Sequence, residues 1–292
     1  MRWRGRERSE NVEDRRGMSP RMAMGGGGSI LVVLVMLALK FFGAPPAAQQ
    51  MAGQVMNQMQ QRQAQAPQAG QGVDDDNREF CEVVLHDTEQ VGKELVPLFD
   101  SSLRYVPPRL VMFTGQEQTG CGIGQAAMGP FYCPADQKIY IDPSFFDDLA
   151  QRHHAPGDFA NAYVIAHEVA HHVQNLVGFS DIVNQVRAQG DELMTNQFSV
   201  RLELQADFLA GVWAHYAHKA YDILEEGDME EAINAANQIG DDTLQKQATG
   251  YVVPERFTHG TSAQRVRWFK RGLLSGKLSD ANQLFKVQYE EL

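Results

Sequence analysis

Residues 158–177 read DFANAYVIAHEVAHHVQNLV, and Gly178 follows. Apolar side chains recur at Phe159, Ala162, Tyr163, Ala166, Val169, Ala170, Val173 and Val177. That is the i, i+3, i+4, i+7 spacing of a helix with one buried face. Asp158 is the candidate N-cap and Gly178 the stop. On this helix His167 and His171 lie one turn and about 40° apart, flanking the apolar stripe. Two imidazoles so placed can share one tetrahedral metal ion, and neutral imidazole suits Zn²⁺. Glu168 lies about 60° beyond His171, poorly aimed for a ligand but within reach of a metal-held water as a general base. His172 sits about 100° from His171 and points away from the metal face.

A catalytic zinc takes three protein ligands and keeps a fourth position open. No third histidine follows at the spacing HExxHxxGxxH: Gln174 stands in place of the glycine, and residues 176–180 (LVGFS) contain no histidine. The better source is a second helical pattern over residues 198–224, with Val200, Leu204, Phe208, Val212 and Tyr216 on its apolar face. It carries Glu203 and Asp207, again one turn apart. One carboxylate can bind the metal while the other orients a histidine N–H. The spacing leaves open which does which.

Working outward, residues 82–98 read as a helix, and residues 109–114, 128–133 and 138–142 as short strands. Beyond residue 142 helical patterns take over. Residues 228–231 and 261–264 have capping-box spacing for two further helices, ending near Gly240 and Leu273. Strands first and helices afterwards predict an α+β fold, with a small antiparallel sheet and a helical bundle carrying the site.

The chain has 292 residues, 43% of them hydrophobic, and a net charge of −11. Whole-chain disorder is excluded by the apolar content, and nucleic-acid binding is disfavoured by the acidic balance. The charge is uneven: +3 over residues 1–28, +1 over 29–48, and −15 over 49–292. Residues 22–42 carry no charge except Lys40 and are uniformly apolar over 30–39, and Arg2, Arg4, Arg6, Arg8, Arg15, Arg16 and Arg21 all precede them. The positive-inside rule then predicts a basic cytoplasmic tail (1–21) and one transmembrane signal anchor (22–44). A Gln-rich disordered linker (45–76) and an extracytoplasmic domain (77–292) complete the division. This is the layout of a single-pass inner-membrane protein with its N-terminus in. Of the three cysteines, Cys121 and Cys133 are the candidate disulfide, because Gly122, Gly124, Gly129 and Pro130 let the chain double back; Cys81 is left free.

The pairing of HEVAHHVQN with RLELQADFLAGVWA, together with MRWRGRERSENVEDRRG and GPFYCPADQKIYID, resembles the neutral zinc metallopeptidase family of bacteria across essentially the whole chain. HExxH followed by ExxxD on a later helix is more distantly similar to the gluzincin peptidases of membrane-associated type, which implies a zincin-like fold. The resemblance implies one Zn²⁺ per chain, with His167, His171 and Glu203 as ligands, Glu168 as base and Asp207 orienting a histidine. Thr258-His259-Gly260 and Arg265 loosely resemble a further gluzincin element, with Gly260 where that pattern has proline. It implies that His259 donates to the oxyanion and that Arg265 pairs with Asp207. The expected activity is a membrane-anchored zinc endopeptidase acting on peptides or proteins. The alternatives are a non-catalytic zinc-binding envelope scaffold and, more weakly, a hydrolase of a non-peptide amide such as cell-wall material.

Overall fold

The computed structural model describes residues 1–17 and 75–292. Helix α1 (Asp76–Phe99) starts at Asp75, whose side chain accepts the Arg78 N–H, the usual N-cap arrangement. The strands that follow are β2 (Arg109–Met112), β5 (Phe131–Cys133) and β6 (Lys138–Ile141), and Val12–Asp14 supplies β1. Their order is β1-β2-β6-β5. β1 pairs with β2 and β2 with β6 in parallel; only β5 runs antiparallel, at the edge. The expected antiparallel sheet is therefore corrected. Strand direction depends on which distant segments pair, and nothing in local alternation reports it. A separate hairpin, β3 (Gln116–Thr119) and β4 (Gly122–Gln125), precedes a 3-10 turn at Ala126–Met128, so the strand expected at 128–133 starts only at Phe131. A disulfide joins Cys121 in the hairpin to Cys133 in β5, and Cys81 is free and buried.

The helices are α2 (Ser144–Gln151), α3 (Asp158–Val177), α4 (Phe179–Arg187), α5 (Glu192–Tyr221), α6 (Asp228–Gln238), α7 (Asp241–Thr249) and α8 (Ser262–Ser275). The apolar stripe of α3 is enclosed, with Phe159, Ala162, Tyr163, Ala166, Val169 and Ala170 all buried. α3 packs against α1, α5 and α6, and α8 lies along α5. Two glycines allow that last approach: a Cβ at Gly211 would strike the Phe269 carbonyl, and one at Gly272 the Phe208 carbonyl. Backbones in near contact bring the first turn of α8 over the site. Thr261 caps α8 in the predicted box with Gln264. The other expected caps differ: α3 starts at Gly157 and α6 at Gly227, neither making a side-chain cap bond. Asp158 and Asp228 face the α-ammonium of Met1 instead, at 2.5 and 3.2 Å.

That contact belongs to a larger correction. The body was expected to begin at residue 77, yet residues 1–17 are part of it. Trp3 is buried, stacks edge-on against Phe80 and donates to Asp158 at 3.0 Å. Ser9 donates to Glu89, and β1 extends the sheet. Six N-terminal arginines meet carboxylates of this folded unit: Arg2 with Asp222, Arg4 with Asp76, Arg6 with Asp87, Arg8 with Glu79, Arg15 with Glu117 and Arg16 with Asp75. The basic N-terminus on an acidic body, read as a topology signal, is accounted for by complementary pairing within one unit. A single membrane crossing at 22–44 would part surfaces that are here in contact. The apolar run and the linker up to residue 74 lie outside the described residues. Among the described residues no helix is long and apolar enough to cross a membrane.

Candidate active site

α3 and α5 cross so that the metal-donor groups of three residues converge. His167 Nε2 lies 3.2 Å from His171 Nε2 and 3.2 Å from Glu203 Oε2, and His171 Nε2 lies 3.5 Å from Glu203 Oε1. A tetrahedral ion with zinc-like bonds of about 2.0–2.2 Å has ligand–ligand edges of about 3.3–3.6 Å. The triangle therefore has the size such an ion requires, and its donors, two imidazoles and a carboxylate, suit zinc. His172, the neighbour set aside in the sequence, indeed faces elsewhere: its ring lies 2.6 Å from the Val106 carbonyl and 3.1 Å from the Tyr132 hydroxyl.

Asp207 is fully enclosed one turn beyond Glu203. It accepts from His167 Nδ1 at 2.9 Å and from the Tyr163 hydroxyl at 2.5 Å, while Arg265 contributes Nε at 2.8 Å and Nη2 at 2.9 Å. A carboxylate only accepts, so His167 carries its proton on Nδ1 and leaves Nε2 for the donor triangle. Burial alone would raise the Asp207 carboxyl, but Arg265 and His167 outweigh it and hold the group well below the usual carboxylate range. The pairing of Arg265 with Asp207 read from the resemblance is present.

Glu168 is buried beside the triangle. Burial pushes its carboxyl up, against the opposing pull of His171 and His167. Burial would lower His171, but the Glu203 carboxylate dominates and raises it to about 9. A cation on that face is thus electrostatically favoured, whether proton or metal.

His259 lies just before α8, half-exposed, with Nδ1 held 3.1 Å from Asp241 Oδ1. Asp241 also accepts the backbone N–H groups of Thr258, His259 and Gly260, which shapes the loop around the histidine. Glu203 is close enough for its charge to act on His259. The sequence reading missed Asp241 and Tyr163. Tyr163 stands four residues before His167 and was legible as a same-face neighbour. Asp241 is 18 residues from its partner, and no spacing marks it.

Residues 1–284 match the family model described as "Putative neutral zinc metallopeptidase". The chain belongs to that family. The match includes the N-terminal strap as well as both site helices. Among its relatives is the uncharacterized protein YpfJ of Escherichia coli (strain K12), 46% identical over 294 residues, 98% of this chain and 99% of the relative. The uncharacterized proteins Mb2605 of Mycobacterium bovis and Rv2575 of Mycobacterium tuberculosis are 41% identical over 208 residues, 67% of each chain. No solved structure matches the chain.

Proposed function

We propose that this protein is a zinc-dependent endopeptidase, with one Zn²⁺ held by His167, His171 and Glu203. The observation carrying this reading is the donor triangle with a buried carboxylate, Glu168, beside it. A zinc ion bound there would lower the pKa of a coordinated water to about 7 and polarise a substrate carbonyl. Glu168 takes the proton from the attacking water and passes it to the departing amide nitrogen. His259, oriented by its hydrogen bond to Asp241, donates to the carbonyl oxygen as negative charge builds on it.

The substrate is an extended peptide laid along β5. The strands that pack against α3 are β5 and β6. β6 lies between β2 and β5, so the second is enclosed and β5 is the edge. Backbone pairing there is tolerant of sequence, and β5 packs against α3, the helix that carries the base. A disulfide suits an oxidising compartment, which supports an extracytoplasmic body.

Digestion of a denatured protein by the purified chain, with and without a zinc chelator, tests the reading. Cleavage that stops with chelator and returns with added zinc is expected. Tight zinc binding without cleavage of any peptide would instead favour the scaffold.

A further inference from the structure

The outer nitrogen of His171 is held by a different kind of partner from that of His167. Its Nδ1 lies 2.8 Å from Gln174 Oε1. Gln174 Nε2 in turn reaches the Leu202 carbonyl at 2.7 Å and Gln205 Oε1 at 3.0 Å, and Gln205 Nε2 reaches the Ala281 carbonyl at 3.0 Å. Both glutamines are completely enclosed, so water does not substitute for a misdirected bond.

The direction of every bond in this relay follows from its ends. The Ala281 carbonyl only accepts, so Gln205 presents its NH₂ there and its oxygen to Gln174. The Leu202 carbonyl only accepts as well, so the Gln174 NH₂ faces Leu202 and Gln205 together. The Gln174 oxygen is then left for His171. An amide oxygen cannot donate, so His171 carries a proton on Nδ1, and Nε2 is the nitrogen free to face the donor triangle. Turning either amide over would set oxygen against oxygen or NH₂ against NH₂ in a dry interior.

We propose that Gln174, backed by Gln205, is the positioning residue that locks His171 in its metal-binding tautomer. This rests on the zinc reading above. The two outer partners also agree in charge: Asp207 is offset by Arg265, and Gln174 is neutral. Neither adds net negative charge behind its histidine. The relay further anchors the site to the stretch Leu278–Phe285, because its last acceptor is Ala281.

The test uses the whole chain with Gln174→Met, Gln205→Met and the double substitution. Each is melted by circular dichroism and then titrated with zinc against a chromophoric chelator. Gln174→Met is expected to stay folded and to bind zinc roughly 10- to 100-fold more weakly. Gln205→Met keeps the contact to His171, so its loss is expected to be smaller, and the double variant no weaker than Gln174→Met alone. If Gln174→Met does not fold, Gln205→Met with an unchanged melt and weakened zinc binding carries the proposal. Zinc binding within twofold of wild type in every folded variant overturns it. Wild-type protein that takes up no zinc overturns the metal reading itself, a result distinguishable from failure of the relay.

Discussion

Arg265 grips Asp207 through two nitrogens, Nε 2.8 Å from Oδ2 and Nη2 2.9 Å from Oδ1, with both side chains buried. Arg265 Nη1 also donates to the Ile239 carbonyl at 3.2 Å, so the guanidinium joins α8 to the end of α6 as well as to α5. This geometry needs a planar fork; the single ammonium of lysine cannot reproduce it. Arg265→Met leaves the Asp207 carboxylate enclosed without its cation, a loss of about 3–5 kcal/mol. Urea unfolding of the variant checks this. Arg265→Lys is expected to recover only part of the loss.

The strap formed by residues 1–17 and the helical body must share one compartment, because they share a core. Cysteines placed at Glu10 and Glu226, both exposed, provide the check. An impermeant maleimide applied to intact spheroplasts is expected to label both positions or neither. Labelling of one alone would contradict the packing of Trp3 and β1 against the body.

The Cys121–Cys133 bridge closes a short loop, with a sequence separation of 12, and fastens the β3–β4 hairpin to the edge strand. Restricting the unfolded chain in this way stabilises the fold by about 3 kcal/mol. Reduction, or the double substitution to alanine, is expected to lower unfolding free energy by that order. An unchanged denaturant midpoint would contradict it.

His259 titrates above its ordinary value because its hydrogen bond to Asp241 favours the protonated ring, more than burial disfavours it. A group raised in the folded state contributes stability below its unfolded pKa of about 6.5, and that contribution is lost as pH rises through the raised value. The stability advantage of wild type over His259→Gln is therefore expected to be largest in mild acid and to shrink as the pH rises past neutrality. In Asp241→Asn the His259 midpoint, followed by NMR, is expected to fall toward 6.5.

The site helix was readable because its constraints are local. One face of α3 must be apolar, and both histidines sit one turn apart on the same element. Glu203 and Asp207 were readable as a pair for the same reason, while their separate roles depend on which meets the Nε2 atoms of His167 and His171 and which meets His167 Nδ1, a fact of helix crossing. The cap at Thr261 and the cysteine pair were equally local. β1 was invisible: NVEDRR has no apolar alternation, and it becomes a strand only by pairing with Leu110–Met112, about 98 residues away. The ion pairs of the N-terminal arginines were not legible, because ion pairing and membrane orientation use the same residue type. Asp241 and the Gln174–Gln205 relay are tertiary, assembled from segments that no spacing rule connects.

The most direct test of the zinc-peptidase reading is a single preparation of Glu168→Gln assayed for zinc content and for peptide cleavage beside wild type. The substitution keeps shape and removes the proton acceptor. One zinc per chain in both proteins, with cleavage reduced by roughly 10²- to 10⁴-fold in the variant, is the predicted result. Full chelator-sensitive cleavage by Glu168→Gln, or cleavage by wild-type protein that contains no zinc, would contradict it.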